Sequence, residues 1–274
     1  MTKIAYDPVK DRLAKLVRNS GILRRLFYFF LNLLFLRSWH LRRIISEIGG
    51  EFDSKGKWYL LDAGCGFGQY DHFILNKFEN VQITSIDVKE SYLEDNKKFF
   101  EYEIKKDRIQ FKLADLLSLK LDKKYDLIIC IDVLEHIEDD QKVIQNLSCL
   151  LKEGGYLIMH SPSHLSEEDA EEDDTFVGEH ARTGYSKDEI EKKLMIAELM
   201  PERTQYTYGK WGRRAWRISI KYPMILLNKF NLWGLIPLLI YYPIILPITL
   251  LMNFADLFNR KKSGNGIYSI AKRI

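Results

Sequence analysis

The sequence predicts an α/β fold in which a parallel sheet is covered by helices on both faces, with apolar helical elements added outside it. Three observations carry this. Between Trp58 and Ser161, short apolar runs alternate with polar, helix-compatible stretches, the pattern of a parallel sheet with crossover helices. A glycine-rich turn, LLDAGCGFGQY from Leu60 to Tyr70, follows the first of those runs. Two apolar segments with basic flanks lie on either side of the alternating region.

At 274 residues, with 46% hydrophobic and 29% charged residues, the chain has the mass for one α/β domain with attachments and is not globally disordered. The net charge of +3 conceals a strong asymmetry. Residues 1–46 hold 10 basic and 2 acidic residues, residues 47–200 hold 19 and 34, and residues 201–274 hold 12 and 2. Basic ends around an acidic middle point to an anionic surface, either nucleic acid or lipid. The basic residues flank long aliphatic runs and no groove-reading motif is present, so nucleic acid is not expected. Cys65, Cys130 and Cys149 match no metal spacing and make no disulfide framework, which suits a reducing compartment. The apolar N-terminal run is not followed by a small-residue cleavage site, so no secretory signal is read.

Taken in order, residues 1–47 read as a basic, apolar, membrane-facing helical region. Leu26 to Leu36 is apolar except for Asn32, and Arg24, Arg25, Arg37, Arg42 and Arg43 flank it. Eleven residues of helix rise only about 16 Å, short of the ~30 Å hydrocarbon core, so this element is expected to lie in the interface plane. The core occupies 48–208, with strands expected at Trp58–Ala63, Gln82–Asp87, Ile109–Leu113, Tyr125–Ile131, Tyr156–His160 and Thr204–Tyr208. Helical stretches are expected at Glu90–Lys106 and Asp139–Leu151, and Ser186 with Glu189 reads as a capping box opening a further helix to Glu198. Residues 209–263 form an apolar insertion, and Ile267–Ala271 within 264–274 closes the sheet.

The insertion contains 25 consecutive uncharged residues, Asn231 to Ala255. That is enough to span a bilayer, but Pro237, Pro243 and Pro247 each remove a helix hydrogen bond. If the strands on either side share one sheet, both ends also lie on one side of any membrane. A re-entrant or in-plane hairpin is the expectation. Trp39, Trp211, Trp216 and Trp233 lie in or beside the two apolar regions, as interfacial anchors do. The alternative is that both segments cap the soluble domain or form a dimer interface.

The glycine turn carries Asp62, Gly64, Gly66 and Gly68 as D-x-G-x-G-x-G, a form in which backbone can approach a ligand without Cβ clashes. Alone it is also compatible with a tight turn that binds nothing. Asp87 ends the next strand 19 residues after Gly68, where a carboxylate can accept from ribose hydroxyls. LADLL with Asp115, YDLIICIDVLEHI with Asp132, Glu135 and His136, and LKEGGYLIMHSPS follow in order. With these five motifs the sequence resembles the class I S-adenosylmethionine-dependent methyltransferases over about residues 48–208 and 264–274. The resemblance implies a Rossmann-like, seven-stranded methyltransferase sheet, six strands parallel and the last, Ile267–Ala271, antiparallel. It implies S-adenosyl-L-methionine as cofactor. The Gly64–Gly68 turn would hold its methionine part with support from Asp62, and Asp87 its ribose. Asp115 and Leu116 would contact the adenine, and Asp132 would lie near the sulfonium. The spacing of the three glycines departs from the G-x-G-x-x-G of NAD enzymes.

Methyl transfer asks the protein for alignment and, with a hydroxyl acceptor, a base. His136, after the fourth strand, and His180, in GEHARTGYS where this superfamily often builds a substrate lid, are the candidates, each otherwise a structural or capping histidine. Asp132, Glu135 and His136 look like the metal pattern of quinone-biosynthesis O-methyltransferases, but Asp stands where those enzymes have Glu, and no metal is assigned. Glu167 to Asp174, with seven carboxylates in eight residues, reads as a solvated lid. The expected function is methyl transfer at the cytoplasmic face of a membrane. The acceptor would be lipid-linked: an isoprenoid quinone precursor, a polyprenyl-linked glycan or a phospholipid, with anionic lipids as the surface partner. A methyltransferase for a small soluble substrate and a non-catalytic cofactor-binding scaffold are the alternatives.

Overall fold

The computed structural model describes residues 20–169, 181–230, 234–259 and 261–274. Seven strands form one sheet in the order β3-β2-β1-β4-β5-β7-β6. They are β1 (Trp58–Ala63), β2 (Val81–Asp87), β3 (Ile109–Leu113), β4 (Tyr125–Ile131), β5 (Leu151–Pro162), β6 (Leu199–Thr207) and β7 (Gly266–Arg273). β7 runs antiparallel to both β5 and β6, and the other neighbouring pairs are parallel. This is the expected sheet. β5 begins five residues earlier than the apolar run at Tyr156 suggested, because Leu151 already pairs with Tyr125 across a register shift.

β1 and β4 are apolar on both faces, as central parallel strands must be when helices cover both sides. Leu61, Ile128, Leu157 and Met159 pack beneath α6 (Asp140–Leu150) and α7 (Lys187–Ile196). Leu60, Leu127, Ile129 and Ile158 face the other way, toward α2 (Leu36–Asp53) and α3 (Gln69–Lys77). On α2, the buried residues Leu41, Ile44, Ile45 and Ile48 recur at the spacing of one helical face. Between β2 and β3 the stretch expected as one helix divides at Phe100 into α4 (Glu90–Phe99) and α5 (Glu101–Lys105). At α7, Ser186 Oγ accepts from Glu189 N–H at 3.2 Å. The reciprocal half of the capping box is absent, since Glu189 pairs with Arg182 at 2.7 Å.

The N-terminal segment departs from the expected single interfacial helix. It bends at Phe35, whose backbone is extended, into α1 (Gly21–Leu34) and α2. Two of its arginines point inward. Arg24 is 4% exposed and donates to the Asp95 and Phe67 carbonyls at 2.8 and 2.7 Å and to Asn96 Oδ1. Arg37 pairs with Asp132. A guanidinium fork matches fixed carbonyl and carboxylate acceptors, so these cations serve the core rather than an external surface. The opposite side of α1 exposes Ile22, Leu23, Leu26, Phe29 and Phe30.

Between β6 and β7 the chain forms a helical hairpin. The first arm is α8 (Lys210–Trp216), a π-helical turn (Arg217–Lys221) and α9 (Tyr222–Phe230). The second is α10 (Leu235–Phe258), one helix of 24 residues. The first arm ends at Phe230 and the second begins at Leu235, so most of the uncharged stretch Asn231–Ala255 lies in one continuous helix. Pro237 lies in the first turn of α10, where its missing N–H has no partner to lose, and the helix continues through Pro243 and Pro247. Tyr241 and Tyr242 on α10 donate to the Ile218 and Ser219 carbonyls of the π turn at 2.9 and 2.8 Å, which ties the arms together.

At its base the hairpin is fixed by charge. Asp256 accepts from Gly209 N–H at 3.1 Å and from Lys261 at 2.8 Å, and Lys261 Nζ lies 3.4 Å from His40 Nε2 on α2. Asp256 and Lys261 are buried as a pair. Asp256→Ala strands the ammonium and should lower stability by about 3 kcal/mol, read from denaturant unfolding; a change below about 1 kcal/mol contradicts this role. Burial, followed by the charges of Lys261, His160 and Arg43, lowers the His40 pKa from 6.5 to about 3. The folded state therefore binds fewer protons than the unfolded chain below pH 6.5, so stability is complete above that value and declines as pH falls toward 3. His40→Gln should flatten part of that acid limb in unfolding curves, and His160, whose pKa burial and Arg37 also depress, contributes to what is left, as does His72.

Candidate active site

Strand order reverses between β1 and β4, and the crevice outside their carboxyl ends is where open α/β sheets bind ligands. The sequence-predicted residues of both strands meet there. After β1, the chain turns through Gly64, Gly66 and Gly68, all with positive φ, at +94°, +50° and +70°. Two of these glycines have different reasons to be glycine. A Cβ on Gly64 would lie 2.3 Å from Val133 Cγ2, so the turn packs tightly against the segment after β4. A Cβ on Gly66 would meet no protein atom within 4 Å; it would project into open space at the mouth of the crevice.

The turn is held from three directions. Gly64 and Cys65 N–H both donate to the Ile86 carbonyl at 2.9 Å. Asn96 on α4 donates to the Gly66 carbonyl at 2.9 Å. Arg24 and Tyr28 of α1 both donate to the Phe67 carbonyl. Gln69, just after the turn, donates to Asn32 Oδ1 at 2.8 Å and Ser38 Oγ at 3.0 Å, so the α1–α2 corner is docked onto the ligand loop itself. Asp62 is buried under the turn beside Asp71, which accepts from Ser85 Oγ at 2.9 Å. Burial raises the pKa of both carboxyl groups, and Asp71 and Asp87 push Asp62 further up, so the pair holds a proton at neutral pH.

Asp87, at the end of β2, accepts from Gly66 N–H at 2.9 Å and from Lys89 N–H at 2.8 Å. Burial raises its pKa, against the pull of those backbone donors. With the Val88 N–H also directed at it, these donors leave about one acceptor position on an ionised carboxylate, enough to take a ribose hydroxyl as well. Asp115 is exposed and caps a 3-10 turn by accepting from Leu117 N–H at 2.9 Å. The Leu116 side chain is in the core beneath α6, which leaves only its main chain for an adenine contact.

Asp132 follows β4 with φ +53°, an uncommon conformation for a non-glycine residue and one that marks a constrained position. Its carboxylate is shared between Arg37 of α2 and His160 Nδ1 at 2.5 Å, and His160 Nε2 lies 3.3 Å from Thr207 Oγ1. His160 is 4% exposed, with its pKa pushed well down by burial and then by Arg37, so it is a neutral partner that orients Asp132. His136 ends the 3-10 turn Leu134–His136 at the same sheet edge and is half-buried. Glu135 is buried, accepting from Ser161 Oγ at 3.1 Å, while its carbonyl receives Ala181 N–H at 2.8 Å. Among the described residues no three His, Cys, Asp or Glu side chains converge as a metal site. His180 and most of the acidic run to Asp174 lie outside the described residues.

Sequence reasoning missed Arg24, Arg37, Asn96, Asp71 and His160. The two arginines were visible only as flanking charge, and Asn96 and Asp71 lie in helices with no motif of their own. His160 carried a usable signal, as a histidine at the carboxyl end of a strand, where open α/β sheets bind ligands.

Residues 54–201 match a family model described as "Methyltransferase domain", which is more than half of the chain. The chain is a class I S-adenosylmethionine-dependent methyltransferase. This methyltransferase is 29% identical over 189 residues to 27-O-demethylrifamycin SV methyltransferase of Amycolatopsis mediterranei, covering 65% of the chain and 68% of that relative. It is 33% identical over 104 residues to ubiquinone biosynthesis O-methyltransferase of Coxiella burnetii, covering 38% of the chain and less than half, 42%, of that enzyme. Among solved structures, a putative sarcosine dimethylglycine methyltransferase from Galdieria sulphuraria superposes with a TM-score of 0.61 at 16% identity, covering 86% of both chains. Phosphoethanolamine N-methyltransferase 2 of Haemonchus contortus superposes at 0.60 and 15% identity, covering 95% of this chain and 59% of its own. At such identities the structural likeness speaks for the fold.

The methyltransferase's crevice fits its cofactor. Gly66 leaves room for a ligand against the backbone, and Asp87 has acceptor capacity to spare. S-adenosylmethionine supplies a methyl group already activated by a positively charged sulfur. Gly66→Arg should abolish cofactor binding by calorimetry while the protein stays folded, with a modest loss of stability from its positive φ because the new side chain itself enters open space. Gly64→Ala should instead lower stability, because its Cβ collides with Val133. Cofactor binding by Gly66→Arg at wild-type affinity would place the pocket elsewhere.

Proposed function

We propose that this methyltransferase works at the cytoplasmic face of a membrane and methylates a lipid-linked acceptor: an isoprenoid quinone precursor, a polyprenyl-linked glycan or a phospholipid. One observation carries the reading, the reversed amphipathicity of α10. Its polar residues Thr249, Asn253 and Asp256 are buried against the protein, at 1–2% exposure. Its apolar residues face outward, with Leu239, Ile240, Ile244 and Leu251 each more than 60% exposed. In water this arrangement is unfavourable at about 25 cal/mol per Å2 of apolar surface; against acyl chains it is the stable one.

Ile236–Phe258 is long and apolar enough to cross a bilayer. A monotopic placement fits the whole hairpin better. Its first arm carries Lys210, Arg213, Arg214, Arg217, Lys221 and Lys229 with no acidic residue, and both ends of the hairpin return to one sheet edge. Lys221 is buried, and the other five cations suit the headgroup region and not the hydrocarbon. The name of the ubiquinone-biosynthesis relative is consistent with a quinone precursor as acceptor.

Within the crevice, the Gly64–Gly68 turn holds the amino-acid end of the cofactor and Asp87 accepts from a ribose hydroxyl. Asp115 and the Leu116 main chain border the adenine. Asp132 lies toward the reacting end, its charge balanced by Arg37 and its orientation set by His160. His136 is the residue positioned to take a proton from a hydroxyl acceptor. Line-up of acceptor and methyl group supplies most of the rate, with the base adding roughly 100-fold or more.

Purified protein mixed with methyl-labelled S-adenosylmethionine and separated lipid and aqueous cell extracts should place label in the lipid phase. A triple substitution of Leu239, Ile240 and Ile244 to Glu should abolish both liposome flotation and lipid labelling without changing cofactor affinity. Label confined to the aqueous phase would make the hairpin a protein–protein interface and the substrate a soluble metabolite.

A further inference from the structure

A groove of about 470 Å3 opens between the α1–α2 corner and α3, lined by none of the cofactor-turn residues. That volume is in the range of small-molecule sites. Its walls present three cations, Arg42 and Arg43 from α2 and Lys77 from the last turn of α3, and no carboxylate. None of the three forms an ion pair with a described residue; the nearest acid that senses them, Glu47, accepts its hydrogen bond from Arg203 at 2.9 Å. The Arg42 guanidinium rests on the Phe73 ring at 4.5 Å, and its Nε is buried with no acceptor. Three cations converging with no carboxylate among them repel one another, and a bound anion would relieve that repulsion.

What surrounds the groove identifies the anion. Leu33 lines it, and Leu33 stands one helical turn beyond the exposed Phe29 and Phe30 on α1. The exposed apolar stripe from Ile22 through Leu26 therefore runs straight into the cationic wall. Trp39 forms another wall, its indole N–H donating to the Leu33 carbonyl at 3.2 Å. The same corner touches the hairpin, where Asn253 on α10 donates to the Leu34 carbonyl at 3.4 Å. An apolar track, a tryptophan and then three unpaired cations reproduce the order of acyl chain, interface and phosphate in a phospholipid.

We propose that this groove binds the phosphate of an anionic phospholipid, with Arg42, Arg43 and Lys77 around the headgroup and the acyl chains along the apolar face of α1. The proposal rests on the membrane-surface reading above and adds to it a discrete lipid site apart from the catalytic crevice.

Flotation of the full-length protein with vesicles of phosphatidylcholine alone, or of phosphatidylcholine with phosphatidylglycerol, tests it. Wild type should bind the anionic vesicles more tightly. An Arg42→Gln/Lys77→Gln variant should weaken anionic binding by roughly 30-fold while retaining wild-type binding to phosphatidylcholine and to the cofactor. Lys97→Gln/Lys105→Gln, which removes two surface cations elsewhere, should lose much less. Arg42→Lys, which keeps the charge but loses the planar guanidinium that can bind a phosphate bidentately, should also bind anionic vesicles less well than wild type. If Arg42→Gln/Lys77→Gln fails to fold, the exposed Lys77→Gln alone serves, with a loss of roughly fivefold. An unchanged anionic preference in the groove variants overturns the site and leaves membrane attachment standing. Wild type that floats with neither vesicle overturns both. Groove variants that lose affinity for inorganic phosphate but not for anionic vesicles mark a soluble-anion site and overturn the lipid proposal.

Discussion

The reversal of β7 governs the rest of the structure. β7 enters the sheet between β5 and β6, and Thr207 and Gly266 are register partners. The 58 residues from Tyr208 to Asn265 must leave and return within one rung of the ladder. A single membrane pass is topologically excluded, and an out-and-back hairpin satisfies the constraint. The buried Asp256–Lys261 pair then closes the base of that hairpin, where its two ends come together. Charge pairing at that point suits a place where chain geometry already holds the partners close.

The second organising element is the clasp formed by α1 and α2. Arg24 and Tyr28 reach the Phe67 carbonyl in the glycine turn, Gln69 reaches back to Asn32 and Ser38, and Arg37 meets Asp132 across the crevice. The ligand loop is thus shaped by residues up to 43 positions away in sequence as well as by its own glycines. One face of α1 does this work while the other exposes leucine and phenylalanine. A single amphipathic helix therefore connects the cofactor turn to the outer apolar surface.

Much of this was legible from the sequence because it is local. Gly64, Gly66 and Gly68 announce a turn by their spacing, and Asp87 and Asp132 are marked by standing at strand ends. The sheet was legible because central strands such as Leu127–Ile131 are apolar on both faces. What escaped depends on long-range geometry. Arg24 and Arg37 carry the same local signal as the other basic flank residues, and only the folded arrangement of carbonyls and Asp132 turns them inward. The prolines misled differently. Pro243 and Pro247 each remove a helix hydrogen bond, yet a helix packed along a partner arm can lose two and continue. Leu116 is a subtler case, since its neighbour Asp115 is exposed while its own side chain is core.

The placement of β7 also sets an order of assembly. The ribosome makes the hairpin before it makes the strand that fills the gap between β5 and β6. For that interval the nascent chain presents α10's greasy face together with two strands whose inner edges have no neighbour. Both are strong templates for wrong association. Early capture of the hairpin by a lipid surface would shield the first hazard and hold the second close to its missing strand. On the membrane-surface proposal, the hairpin would double as a folding aid, and the timing of its attachment would belong to biogenesis as much as to catalysis.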